Sequence, residues 1–285
     1  MGVRGAAAAA LAEAAGLVVP VACAGCGRWD VALCPACRAL LGAPPVRCEH
    51  DAPMLAGDWS GRPLPTWTLG PYRGALRSIV LAWKNHRRED IAPAVLAGAT
   101  AAARTWAGDP QLLAALADAL GAADGAGTAA STRAWAGPRA AAGPPDLLVV
   151  PAPSGWHRRL MRRLVVATLA DAVGHGLAVG LGDVARRPVG RVIVVDALRR
   201  RRGGAHQAGL GARGRAANRA GNVVSLTALA GAVVVLVDDV VTTGATLAAS
   251  RTAIEAAGGR VVAALVLAST PAPGRVTDVP GQRHP

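Results

Sequence analysis

At 285 residues the chain is long enough for one or two domains with a buried core. Its net charge of +13 invites a polyanionic partner, but alanine, glycine and arginine dominate, phenylalanine is absent and Lys84 is the sole lysine. Much of the basicity therefore reads as a bias toward arginine, with nucleic-acid binding the minority reading. Arginine, glycine and proline interrupt the apolar runs, so no segment reads as long enough to span a bilayer.

The first residues, Met1 to Ala22, have one early arginine and an alanine-rich centre, which superficially suits an export signal. Glu13 and Pro20 argue against it, and Leu11, Ala14, Ala15 and Val18 share one helical face. The expectation is a short helix leading into a cysteine module of a cytoplasmic protein. That module is Cys23-x2-Cys26, a seven-residue gap, then Cys34-x2-Cys37. Each pair makes a tight knuckle offering two sulfurs, and four thiolates suit tetrahedral Zn²⁺ in a closed, structural site. Two disulfides are the alternative, disfavoured without a convincing export signal. Cys48 is left over and reads as a spare buried thiol.

Residues 43 to 65 are rich in proline and glycine and read as irregular connection. Tyr72-Arg73-Gly74 reads as a turn, followed by Leu76, Ile79, Val80 and Trp83 at helical spacing. Lys84 ends that helix, where a cation favours the dipole. It is either a compact charge aimed at a phosphate, a task for which arginine is not equivalent, or a solvated helix-end lysine. Residues 91 to 106 and 110 to 120 carry helical periodicity. Gly121 to Pro145 reads as a flexible insertion.

Asp146 to Val150 reads as a strand ended by Pro151-Ala-Pro153, before a helix from about Leu164 to Val179. Between them lie Arg158, Arg159, Arg162 and Arg163, a loop of guanidinium groups suited to a pyrophosphate. The competing reading is a basic helix start on the surface. Val192 to Val195 reads as a buried strand. The run from Leu198 through four consecutive arginines, Arg199 to Arg202, to Gln207 reads either as a mobile loop that closes over a phosphorylated ligand or as a solvated basic face. Arg260 to Leu267 reads as the last strand, and the tail from Pro271 as frayed.

The most informative run is Val233 to Thr246. A β-branched block predicts a buried parallel strand. Asp238 and Asp239 fall where that strand is expected to end, then Val240, Val241, Thr242, Thr243, Gly244, Ala245 and Thr246 turn into a helix reaching Ala257. There is no lysine for a Walker A loop and no second glycine for a dinucleotide fingerprint. What remains is a sugar-phosphate cradle: carboxylates to accept hydrogen bonds from a ribose diol, and N–H and hydroxyl donors for its 5′-phosphate.

This run closely resembles the 5-phosphoribosyl-1-pyrophosphate (PRPP) motif of type I phosphoribosyltransferases. With the four-cysteine module and the Tyr72-Arg73-Gly74…Lys84 unit, the chain resembles the ComF-like competence family over most of its length. Where that family usually has Arg-Gly-Phe-Asn-Gln, this chain has Arg162-Arg163-Leu164-Val165-Val166. The resemblance implies an α/β fold: a type I phosphoribosyltransferase-like parallel sheet flanked by helices, with a small N-terminal zinc-binding module. The implied division is 1–65 for the N-terminal helix and zinc module, 66–120 for a helical hood, 121–145 for the insertion, 146–270 for the phosphoribosyltransferase-like domain and 271–285 for the tail. It further implies that Asp238 and Asp239 bind the ribose hydroxyls and that the loop binds the 5′-phosphate of PRPP. Mg²⁺ would accompany the pyrophosphate, and Arg158, Arg159, Arg163 and Arg199 to Arg202 would serve it. The implied function is phosphoribosyl transfer to an unknown nitrogen nucleophile, or non-catalytic binding of PRPP, a nucleotide or single-stranded DNA in a DNA-uptake machinery.

Overall fold

The computed structural model describes residues 21–56, 63–85, 87–125, 144–153, 159–184, 188–200 and 223–272. The expected N-terminal helix, most of the 121–145 insertion, Arg158 and the tail lie outside them. The protein is α/β, with a six-stranded, mostly parallel mixed sheet flanked by helices.

The sheet runs in the order β1 (Val46–Arg47), β2 (Thr66–Thr68), β8 (Arg260–Ser269), β7 (Val233–Val241), β3 (Leu147–Pro151), β4 (Val192–Val194). Only β1 is antiparallel to its neighbour. Both faces of β7 are covered, so its whole first half is apolar. Val233, Val235 and Val237 enter one core cluster, while Val234 and Leu236 enter the other.

The first face carries α1 (Pro35–Ala39), α2 (Gly74–Lys84), α3 (Ala92–Trp106), α4 (Pro110–Gly125) and α5 (Arg159–Gly182). The cysteine module shares this core: Cys23, Cys34, Cys37 and Leu41 belong to the same buried cluster as Val95, Trp106 and Leu169. On the second face lie α6 (Ala245–Ala256) and the side chains of Cys48, Ala52, Leu55 and Leu64. A separate ribbon pairs β5 (Leu198–Arg200) with β6 (Val223–Ser225).

Several expectations are corrected. Residues Val165–Gly182 of α5 are long and apolar enough, by length and composition, to cross a membrane. Here the apolarity is used for packing, since α5 lies against β3, β4 and β7 on one side and α3 on the other. Gly176 and Gly180 let it approach α3 closely: a Cβ at either would strike the α3 backbone at Thr100 or Arg104. Helix α4 continues to Gly125, into the stretch read as an insertion. Residues 43 to 65 are not wholly irregular, because they contain β1 and a 3-10 turn at Glu49–Asp51.

Strand β2 has no sequence precedent above, being only Thr66-Trp67-Thr68. Tertiary contacts hold it. The Trp67 ring sits 5.2 Å from that of Trp106, its Nε1 donates to Asp109 Oδ2 at 3.2 Å, and the Arg47 guanidinium lies 4.7 Å over the indole.

Candidate functional site

Strand β3 stops at Pro151, which pairs with Val237. Strand β7 continues to Val241 beside β8. Asp238 and Asp239 are therefore the sixth and seventh of the nine residues of β7, short of the strand end where they were expected and just past the end of its neighbour β3. Chain order reverses direction across this point, since β3 is flanked by β4 on one side and β7 on the other. The carboxyl edge at such a switch point is where open α/β sheets take ligands.

The two carboxylates have different surroundings. Asp239 is 5 % exposed, and its Oδ2 pairs with Lys84 Nζ at 2.5 Å. Lys84, the last residue of α2, is thus paired with a carboxylate of this edge rather than free in solvent. Asp238 is half-buried, and its Oδ1 accepts the Asp239 N–H at 2.8 Å. Burial, then the adjacent Asp239 charge, push the Asp238 carboxyl up to about 7, against the pull of that N–H, Lys84 and Arg200.

Val240 and Val241 pair with Ala268 and Ser269 of β8, and Val241 is buried. Any part they take in binding is through the backbone. Thr242 and Thr243 are exposed, whereas Ala245 and Thr246 are partly buried. The turn needs Gly244 on two counts. Its φ of 80° is left-handed, and Leu55 packs so close that a Cβ would overlap it. The Met54 N–H also donates to the Thr243 carbonyl at 3.0 Å. Leu55 and Met54, in a stretch with no motif, are the floor of this turn, and nothing local in the sequence marks them. The opening turn of α6 has no intrahelical acceptors for its N–H groups, so the turn is suited to an anion.

A second positive group reaches this edge. The Arg200 guanidinium donates to Thr246 Oγ1 at 2.9 Å and to the Pro153 carbonyl at 3.0 Å. It joins the loop after β3 to the loop after β7. Arg199 and Arg200 lie in a strand, not a loop, and Arg199 pairs with Asp196 at 2.7 Å. Arg159 and Arg163 fall in the first turns of α5, which starts five residues before the expected Leu164. The backbone of these two is therefore helical rather than loop, in keeping with arginine's good helix propensity.

The four cysteines form the second site. Their Sγ atoms all lie within 4.8 Å of one another, with Cys26 and Cys34 at 3.7 Å. Thiolates around a tetrahedral Zn²⁺ at about 2.3 Å stand about 3.8 Å apart, so the cluster fits such a metal. No disulfide joins any of the five cysteines in this structure, and Cys48 is buried as expected. Burial works against ionisation of Cys23, but the N–H groups of Cys26, Cys34 and Gly25 outweigh it and hold the thiol at about 6. Burial, then its cysteine neighbours, push Cys37 upward. Arg88 fastens the module, donating to the Ala22 and Ala32 carbonyls at 2.6 and 3.3 Å while pairing with Asp90 at 2.8 Å.

No protein-family model matches the chain, and no curated protein matches it.

Magnesium fits the acidic edge poorly. Mg²⁺ demands an octahedron of oxygens. Among the described residues only the four cysteines bring three or more metal-binding groups together. Asp239 already has a cation.

Proposed function

We propose that this protein binds PRPP or a related phosphoribosyl ligand on a type I phosphoribosyltransferase-like sheet, and that it is a cytoplasmic member of the ComF-like group associated with DNA uptake. One observation carries the reading. An acidic pair and a glycine turn opening α6 stand together at the switch point between β3 and β7, with Arg200 bridging the two loops.

The 5′-phosphate would sit in the Thr242–Thr246 turn, held by N–H and hydroxyl donors. The ribose diol would donate to Asp238 and Asp239. Arg200, which reaches the loops after β3 and β7, would stabilise the charge of the pyrophosphate. Mg²⁺ would arrive with the pyrophosphate oxygens as part of the ligand. If transfer occurs, the bond from the anomeric carbon to pyrophosphate breaks and the leaving group takes the electron pair. A nitrogen lone pair then forms the new bond. The protein's share is positioning and electrostatic stabilisation. The cysteine module would hold structural Zn²⁺.

Calorimetry with PRPP tests the site: micromolar binding, weakened at least tenfold by Asp238→Asn, is expected. Absence of binding overturns the reading. Release of pyrophosphate with any member of a panel of bases and amines distinguishes a transferase from a binding protein.

A further inference from the structure

We infer that Lys84 is the built-in counter-cation of the acidic edge, so that ribose recognition by Asp238 and Asp239 needs no divalent ion held by the protein. The inference rests on the phosphoribosyl reading above and goes beyond it by assigning a positioning role to one residue.

The geometry is specific. Lys84 Nζ lies 2.5 Å from Asp239 Oδ2, and the two side chains are 17 % and 8 % exposed. A carboxylate that deep is costly without a partner. The lysine is delivered by a fixed element. Helix α2 buries Leu76, Ile79, Val80 and Trp83, and the turn before it is pinned to β8 by the Tyr72 N–H donating to the Ser269 carbonyl at 2.6 Å. The ammonium is thus set at the helix C-terminus, where its charge is favoured, and aimed across at β7.

Composition sharpens the point. This is the one lysine among 31 basic residues. A compact ammonium makes a single-point contact and leaves the other carboxylate oxygen free, whereas a planar guanidinium tends to engage both. The remaining Asp239 oxygen can then accept a ribose hydroxyl. With Arg200 at the neighbouring loop, two fixed cations face two acidic side chains. The edge therefore holds fixed positive charge before a ligand arrives, which a divalent ion would otherwise have to supply.

The acidic pair is also arranged wrongly for chelation. Successive residues of a strand face opposite sides of the sheet. Asp239 turns to Lys84, while Asp238 folds back onto the Asp239 N–H.

The test uses the full-length, metal-loaded protein and ribose 5-phosphate, which lacks the pyrophosphate that would bring its own magnesium. In buffer freed of divalent ions by resin, ribose 5-phosphate binds, and adding millimolar MgCl₂ changes its affinity by less than twofold. Lys84→Met weakens binding roughly tenfold or more without divalent ions, and Mg²⁺ recovers part of the loss. Lys84→Arg keeps the charge and remains insensitive to Mg²⁺. Mn²⁺ electron paramagnetic resonance gives a readout without ligand. The parent protein binds no Mn²⁺ at this edge, and Lys84→Met gains one ion that a second change, Asp239→Asn, removes. The inference is overturned if ribose 5-phosphate binding to the parent requires Mg²⁺, or if Lys84→Met loses affinity equally with and without it. It is equally overturned if the parent binds Mn²⁺ through Asp239. Should Lys84→Met fail to fold, the magnesium comparison on the parent still decides. Failure of ribose 5-phosphate to bind under any condition overturns the phosphoribosyl reading instead, and leaves the Mn²⁺ result to judge Lys84.

Discussion

The cysteine module and the carboxyl edge of the sheet are both built from short motifs, yet they treat polar groups in opposite ways. In the module, sulfurs face sulfurs, N–H groups point at Cys23, and Arg88 caps two loop carbonyls. Three of the four cysteines are buried, and only Cys26 is exposed. At the edge, Thr242 and Thr243 are exposed, burial and the Asp239 charge push the Asp238 carboxyl up to about 7, and Arg200 spans two loops. A structural site closes on itself, while a binding site leaves groups whose partners must come from elsewhere. The distinction lies in satisfaction of polar groups, not in residue type.

The comparison can be broken first at the module. Cys37 is buried in the core shared with Trp106 and Leu169, so Cys37→Ser should abolish metal retention and lower the melting temperature by on the order of 10 °C. Native mass spectrometry and thermal denaturation check this; an unchanged melting point would show that the module contributes nothing to the shared core.

At the edge, Gly244→Ala should cost about 1–3 kcal/mol in stability. It should also weaken phosphate-ligand binding, because both the left-handed φ and the contact with Leu55 oppose a side chain. Denaturant melts and calorimetry on the same samples separate the two effects.

Asp238 gives a smaller, pH-dependent signal. Its carboxyl titrates near 7 in the folded chain rather than at the ordinary value of 3.8. A raised pKa favours the protonated form. Its contribution to stability is therefore complete below pH about 4 and is lost as pH rises through about 7. Asp238→Asn should be more stable than the parent by on the order of 1 kcal/mol at pH 8, discounted for partial exposure, and no more stable at pH 4. Paired denaturation curves decide. Ligand affinity in the parent should rise over the same interval, as the carboxylate forms.

The smallest effect is expected at Arg104–Asp183, an ion pair at 2.9 Å with both side chains about 61 % exposed. Arg104→Ala should stay within about 0.5 kcal/mol of the parent. A larger loss would mean that the helix interface beneath, not the charge, is at stake.

Local pattern made much of this architecture legible. Leu76, Ile79, Val80 and Trp83 announce α2 because helical spacing is a property of neighbours in sequence. The Cys-x2-Cys pairs and the Asp-Asp-to-Thr turn are legible for the same reason. The missed features depend on distant partners. Strand β2 exists because Trp67 meets Trp106 and Asp109. Leu55 matters because it lies under Gly244. Lys84 could be singled out by its rarity, but its partner is 155 positions away, so a carboxylate could not be told from a phosphate. The arginines after β3 mark a basic segment equally well in a loop or in a helix start, and for Arg159 and Arg163 only the backbone of α5 separates the two.

The lone lysine has a practical chemical consequence. Apart from the chain's own amino terminus, the molecule carries a single primary amine, and that amine sits shielded against Asp239. An acylating reagent read out by peptide mapping, which sets the amino-terminal adduct aside, would therefore add to one lysine side chain or to none. The rate of that one mass increment reports on the acidic edge directly, with no engineered probe and no background from other lysines.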